Sequence, residues 1–355
     1  MASGSVTDVR VAGLASAVPA AVSEVAATAN LPADELAKVV VNTGVVRRHL
    51  TSAQICTSDL CFAAAETLLE NMKWSRDSID LLVFVSQTPD YVLPATSCVL
   101  HGRLGLAKSC AAFDLALGCS GYVYGLSVVS QLISTGMYRR ALLLVGDTIS
   151  KLTSPDDRSV AYLFGDAGTA TALEHRAGSA PMFFELGTDG KGASFLQVAA
   201  GGFRQRSDEA SRRPLPRESG IVRADDQLYL NGAEIFNFTL REVPGLLRRL
   251  LEKSGWRAEE VDWWVLHQAN RFMLDYLGKR MALPPAKVVL ALENYGNTSS
   301  ASIPLALTDS LREQIGGGPV RVALAGFGVG FSWAAAMVTF DNVVAPPLIK
   351  LAGSP

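Results

Sequence analysis

Histidine and cysteine are scarce in this chain. Its 355 residues include four histidines and five cysteines. The odd number and loose spacing of Cys56, Cys61, Cys98, Cys110 and Cys119 argue against a disulfide framework and a zinc knuckle, and no metal is expected. Reduced thiols point to a cytoplasmic protein. Long apolar runs are lacking as well, because none approaches the roughly 20 residues that span a bilayer. The apolar stretch Val11 to Val22 has Asp8 and Arg10 just before it and Pro19 inside it, which argues against a leader peptide or membrane insertion. Nor is there an excess of one charge: 32 Lys and Arg face 34 Asp and Glu. Nothing therefore draws the whole chain to nucleic acid or to an anionic membrane, and an acidic partner would need a local basic patch.

What the chain does have is apolar material. Hydrophobic residues make up 49% and charged residues 19%, enough for a large core and inconsistent with disorder. The length is about twice that of a typical domain.

The order of elements repeats. Ile79-Asp80-Leu81-Leu82-Val83-Phe84-Val85 and Val261-Asp262-Trp263-Trp264-Val265-Leu266 are short apolar runs that predict buried strands, each after a helical segment. In the first half a second strand, Ala112 to Leu117, enters Gly118-Cys119-Ser120-Gly121, and a helix follows over Tyr122 to Thr135. As its counterpart in the second half, Lys287 to Leu292 leads to Asn294-Tyr295-Gly296-Asn297. A helix follows from about Ser302 to Gln314, with Pro304 in its first turn. Each half closes on a strand pair, Ala141 to Gly146 with Thr169 to Leu173, then Val320 to Ala325 with Ala334 to Phe340. Alternating strands and helices predict mostly parallel mixed sheets covered by helices. The expected fold is α/β, with two duplicated halves stacked as a five-layer αβαβα body. Residues 1–180 carry Cys119, and residues 181–355 carry His267 and Asn297. The segment 201–226 holds Arg204, Arg206, Arg212, Arg213, Arg217 and Arg223. It predicts an exposed excursion, either a solvated loop or a cover over the site.

In open α/β sheets chemistry collects at the carboxyl ends of the strands. Cys119 sits at a strand-to-helix turn between Gly118 and Gly121, where first-turn amides and the helix dipole are expected to favour the thiolate. Such a thiolate is a nucleophile for a thioester carbonyl, and the glycines let a substrate come close. The other cysteines read as structural thiols. His267 directly follows a predicted buried strand, and Asn297 occupies in the second half the position of Cys119 in the first. The duplication aims all three at one region and supplies two donors for a developing oxyanion. His49, His101 and His175 have no comparable placement.

Five ordered segments carry a resemblance. The stretch from Phe113 to Leu126 around Gly118-Cys119-Ser120-Gly121 resembles the nucleophile motif of beta-ketoacyl-acyl-carrier-protein synthase III. His267-Gln268-Ala269-Asn270 and Asn294-Tyr295-Gly296-Asn297-Thr298-Ser299 are similar to its other two catalytic motifs. Asp156-Asp157-Arg158 followed by Phe164-Gly165-Asp166-Ala167-Gly168, and the terminal Gly326 to Trp333 segment, fit as well. The similarity runs from about Val9 to Phe340.

The resemblance implies the thiolase fold, a homodimer, and ping-pong chemistry with no cofactor beyond thioester substrates. Cys119 would take an acyl group from acyl-CoA or acyl-ACP (acyl carrier protein). Malonyl-ACP would then lose CO₂, and its carbanion would attack the acyl-enzyme, as in fatty acid or related lipid and polyketide biosynthesis. His267 and Asn297 would hold the enolate, and the backbone amides of Cys119 and Val329 the tetrahedral oxyanion. Arg158, Asn42, Phe236 and Asn270 would line the CoA entrance. Leu93 and Phe327 would shape the acyl pocket, Leu93 from the neighbouring subunit. Arg271, Lys279 and Arg280 would receive the acyl carrier protein.

Departures from the family pattern fall on substrate contacts. Lys38 and Asn42 stand where the family carries Trp and Arg for the CoA adenine, which counts against a plain acetyl-CoA donor. Asn237 and Phe272 replace a Lys and an Arg on the carrier face. Leu93 in place of Phe implies a deeper or reshaped pocket, and Val329 replaces a Gly. The alternative activity is acyl transfer from Cys119 to an alcohol or amine without carbon–carbon bond formation. A degradative thiolase needs a second cysteine near the C-terminus, and none follows Cys119. A synthase adding acetyl-CoA to a ketone needs a Glu where Ser86 to Leu93 offers only Asp90. A non-catalytic subunit would have lost a residue of the Cys119, His267 and Asn297 set.

Overall fold

Two sheets with helices between and outside them make the frame. The structure is a computed structural model that describes residues 2–28 and 31–353. Its main strands are β1 (Ala2–Val6), β2 (Val9–Pro19), β3 (Leu81–Val85), β4 (Ala111–Leu115), β5 (Arg140–Asp147) and β6 (Ala167–His175). They continue with β7 (Met182–Thr188), β8 (Trp263–Leu266), β9 (Val320–Gly328), β10 (Ser332–Phe340) and β11 (Ile349–Leu351). The six-stranded sheet has the order β11-β2-β6-β5-β3-β4, and the five-stranded sheet the order β1-β7-β10-β9-β8.

The pattern of β3 shows why these strands are apolar throughout. Leu81, Val83 and Val85 face the core between the sheets, while Leu82 and Phe84 face the core outside the first sheet. With period-2 alternation and helices on both faces, neither set of side chains meets water. The central layer contains α3 (Gly121–Ser134) and α6 (Ser302–Ser310), whose side chains meet strands of both sheets. A helix between two sheets must be apolar all round, and Tyr122, Val123, Leu126, Val129 and Ile133 are all buried. Outside the first sheet lies α2 (Thr57–Met72), which follows α1 (Ala33–Thr43) in the chain; outside the second lies α4 (Gly232–Ser254). The amphipathic α4 buries Ile235, Phe238, Val243, Leu246, Leu247 and Leu250 along one stripe. This is the five-layer α/β arrangement read from the duplication.

Some details depart from the sequence reading. The sheets are mixed, but antiparallel ladders slightly outnumber parallel ones, because the closing strand pairs β5/β6 and β9/β10 return beside each other. The first strand, β1, pairs with β7 of the second half, and the last, β11, pairs with β2 of the first. Two strands thus cross the 1–180/181–355 division. The counterpart drawn at Lys287 to Leu292 is not a strand. Only Val288 bridges Trp264, and Leu292–Tyr295 forms one helical turn. Pro284 and Pro285 just upstream lack the N–H groups a ladder needs. The helix drawn from Ser302 to Gln314 breaks at the buried Leu311, and α7 (Arg312–Gly317) continues it.

Candidate active site

Cys119 lies just beyond β4, in a turn closed by Gly121 N–H donating to the Gly118 carbonyl at 2.6 Å. Two glycines make room for it. A Cβ on Gly328 would lie 2.8 Å from the Cys119 Sγ, and one on Gly118 would lie 2.7 Å from Val329 Cγ1. The Val329 N–H and the Ser299 hydroxyl are directed at the sulfur. Burial nevertheless pushes the thiol up to about 11, and the Asp147 carboxylate adds to the rise. The sequence-based expectation of a thiolate favoured by the helix start is therefore corrected: desolvation outweighs the dipole, and the resting group is a thiol.

His267 follows β8 and ties it to β9 by donating its N–H to the Ala325 carbonyl at 2.8 Å. Gln268 clamps the same corner. Its Nε2 donates to the Leu266 and Val289 carbonyls at 2.7 and 3.2 Å, and its Oε1 accepts from Ala291 N–H at 2.8 Å. The His267 ring stands edge-on to Phe327, with centroids 5.7 Å apart. Its Nδ1 lies 2.7 Å from Ser302 Oγ. Burial drives the imidazole down to about 3, so the ring is neutral.

Asn297 is held by the segment Leu163 to Gly165. Its N–H donates to the Leu163 carbonyl at 2.9 Å, and its carbonyl accepts from Gly165 N–H at 3.1 Å. A Cβ on Gly165 would lie 2.1 Å from the Tyr295 carbonyl oxygen, which explains a glycine in that motif. The carboxamide is fixed at both ends. Nδ2 donates to the Ala269 carbonyl at 3.3 Å, and Oδ1 accepts from Ser299 N–H at 2.9 Å. An amide nitrogen carries two hydrogens, so one is left for the cavity.

Cys119, His267, Asn297 and Phe327 line one cavity of about 420 Å³, which reaches Asn42, Asn270 and Phe272. A second cavity, of about 450 Å³, shares Cys119 and continues between Ile149, Leu152, Leu196 and Leu228. The Arg-rich excursion reaches this second cavity through Gly201, Gly202, Ser207 and Asp226. It is also anchored, because Arg223 pairs with the fully buried Asp157 at 2.8 Å.

Other residues singled out from the sequence are placed less centrally. Asn270 caps α5 (Arg271–Arg280), its Oδ1 accepting from Met273 N–H at 2.8 Å. Phe236 packs on Phe272 and Tyr276 beside the first cavity. Arg158 is exposed and pairs with Glu35 at 3.1 Å. Arg271 pairs with Asp275 at 3.1 Å, while Lys279 and Arg280 are exposed and form no ion pair among the described residues. Leu93 is 78% exposed and lines neither cavity of the single chain. The sequence reading missed Asp147, Ser299 and Ser302, all buried beside the site. Ser299 lay inside a quoted motif, but a small hydroxyl gives no signal until its neighbours are known.

Comparison with known proteins gives the family. Residues 113–190 match the family described as 3-oxoacyl-[acyl-carrier-protein (ACP)] synthase III, and residues 251–340 match its C-terminal part. The beta-ketoacyl-[acyl-carrier-protein] synthase III of Desulfitobacterium hafniense strain Y51 is 36% identical over 86% of this chain and 89% of its own. That of Synechocystis sp. is 36% identical over 83% and 87%. The crystal structure of a 3-oxoacyl-(acyl-carrier protein) synthase from Burkholderia xenovorans LB400 superposes with a TM-score of 0.93 at 43% identity, covering 99% of each chain. With the fold, the motif order and full-length similarity all in agreement, the chain belongs to the 3-oxoacyl-[acyl-carrier-protein] synthase III family and is an acyl-transferring condensing enzyme.

Proposed function

We propose that the protein joins an acyl thioester to malonyl-ACP by decarboxylative Claisen condensation, through an acyl-Cys119 intermediate. The observation that carries this reading is the meeting of two cavities at Cys119, one of them lined by His267 and Asn297. The sulfur attacks the donor carbonyl and loses its proton to the departing CoA or carrier thiolate. The amides of Cys119 and Val329 hold the oxyanion that forms. The acyl chain lies in the second cavity, among Ile149, Leu152, Leu196 and Leu228, so Phe327, expected in the acyl pocket, lines the malonyl side instead. Malonyl-ACP then enters through the first. Its C–CO₂ bond breaks, the electron pair moves into an enolate held by His267 and Asn297, and the carbanion attacks the acyl carbonyl. The C–S bond breaks, and the Cys119 thiolate takes a proton from solvent.

Arg158, Asn42, Phe236 and Asn270 flank the entrance for CoA, and Arg271, Lys279 and Arg280 meet the acidic carrier protein by electrostatic steering. The protein acts as a homodimer. Strand β4 is an edge strand, and Asp114 on it accepts the N–H groups of Thr96 and Ser97, close to the exposed Tyr91, Val92 and Leu93. An apolar edge of this kind calls for a cover. A second copy would supply it and bring Leu93 toward the acyl cavity. Five unpaired cysteines suit the cytoplasm, and no helix among the described residues is long and apolar enough to cross a membrane.

The test is incubation with malonyl-ACP and a panel of acyl-CoAs and acyl-ACPs. CO₂ release, a 3-oxoacyl-ACP product and an acyl mass increment on Cys119, lost in Cys119→Ala, are the expected results. Acylation across the panel without CO₂ would overturn condensation in favour of acyl transfer to an alcohol or amine.

A further inference from the structure

A neutral imidazole has one hydrogen, so His267 can donate to an enolate only when that hydrogen sits on the nitrogen facing the cavity. We propose that the Ser302 hydroxyl sets this tautomer, donating to His267 Nδ1 and so keeping the ring hydrogen on Nε2, toward the substrate. The inference rests on the condensation reading and adds a positioning residue to it.

Hydrogen-bond accounting carries the argument. Ser302 Oγ has two partners among the described residues: His267 Nδ1 at 2.7 Å and Gln268 N at 3.4 Å. A backbone N–H only donates, so Oγ accepts there, and its own hydrogen is left for Nδ1. Both Ser302 and His267 are only 2% exposed, so water does not compete for that hydrogen. Nδ1 is thus occupied as an acceptor, and Nε2 is the nitrogen left for the cavity that His267 lines. The Ser299 carbonyl also meets the ring and can only accept. Removing the hydroxyl takes away the donor that Nδ1 has, and with it the bond that keeps the ring hydrogen on Nε2. The adjacent serine does not substitute, because Ser300 Oγ is engaged by Asp147 at 2.6 Å.

The experiment is a long-range proton–nitrogen NMR spectrum of full-length protein labelled with nitrogen-15 histidine. Four histidines keep it sparse, and His267→Gln assigns the signal. The expected result is an Nε2-protonated His267 in the unaltered protein. In Ser302→Ala the hydrogen moves to Nδ1 and CO₂ release falls about 100-fold, as for loss of one oxyanion donor. Cys119 acylation stays at its original rate, and Ser302→Thr restores both the tautomer and CO₂ release. An Nδ1-protonated ring in the unaltered protein overturns the proposal, and so does a Ser302→Ala ring that keeps its hydrogen on Nε2. If Ser302→Ala does not fold, Ser302→Gly, which also lacks the hydroxyl, takes its place with the same expected and overturning results. An Nε2-protonated ring in a protein that releases no CO₂ supports the tautomer assignment while the condensation reading fails.

Discussion

Asp147 and Ser300 join the two halves of the molecule behind Cys119. Asp147 ends β5 of the first half, and its Oδ2 accepts from the Ser300 hydroxyl at 2.6 Å and the Ser300 N–H at 3.1 Å, just ahead of α6 in the second. Its Oδ1 accepts from Gln87 N–H at 2.7 Å and the Ser86 hydroxyl at 3.0 Å. The carboxyl is wholly buried, faces no cation in an ion pair among the described residues, and has its pKa raised by burial. Removing it strands two backbone N–H groups that have no other assigned partner, at about 1–3 kcal/mol for each unsatisfied group. Asp147→Ala is therefore expected to lose about 3 kcal/mol or more in urea denaturation. Asp147→Asn should also lose stability, because its NH₂ must face another donor. A variant within 0.5 kcal/mol (about the noise of a surface change) would show that the junction holds without this network.

Gly328 gives a second prediction. A methyl group at this position would lie 2.8 Å from both Cβ and Sγ of Cys119, closer than such atoms pack. Gly328→Ala should keep the fold at a cost of about 1–3 kcal/mol and slow acylation at least about tenfold, since the sulfur must turn from its line of attack. The rate of acyl mass gain on Cys119, read against melting temperature, checks it. Unchanged acylation would mean that the sulfur has room the packing does not show.

The raised thiol pKa makes a third. With a value of about 11, Cys119 is almost entirely protonated at neutral pH. Alkylation by iodoacetamide, followed at the Cys119 peptide by mass spectrometry, should rise about tenfold per pH unit from pH 7 to 10. A plateau reached by pH 8 would place the thiolate within easy reach and restore the helix-start argument.

That argument shows where sequence stops being informative. The five-layer body could be read from apolar runs such as Leu81 to Val85, because a strand covered on both faces must be apolar on both. The placement of Cys119 and His267 could be read from the strands before them, whereas that of Asn297 rested on a strand that does not form and on its motif. What could not be read was magnitude and partner. The sequence places Cys119 at a helix start but does not reveal how deeply Gly328 and Val329 bury it, and depth decides the sign of the pKa shift. The Lys287 to Leu292 segment has strand-like composition, yet the two prolines before it and a single bridge to Trp264 leave it without a ladder. Leu93 illustrates a third gap. A residue expected to act from a neighbouring subunit stands exposed in one chain, so its role is a property of the assembly.

His267 links the proposed site to stability. Burial lowers its pKa from 6.5 to about 3, so between those values the unfolded chain binds a proton that the folded protein does not. Stability from this group is therefore complete above pH 6.5 and declines as pH falls toward 3. At pH 4.5 the decline amounts to about 3 kcal/mol, at 1.36 kcal/mol per pH unit. His49, also lowered by burial, acts in the same direction. Urea denaturation at pH 7 and pH 4.5 should show this loss in the unaltered protein. His267→Gln has no titrating ring at the position, so its loss over the same interval should be smaller by about 2 kcal/mol, whatever the substitution costs at pH 7. Equal losses in the two proteins would mean that the imidazole accepts a proton readily in the folded state. A charged ring could then hold the enolate, and the neutral donor assigned to the site would be wrong.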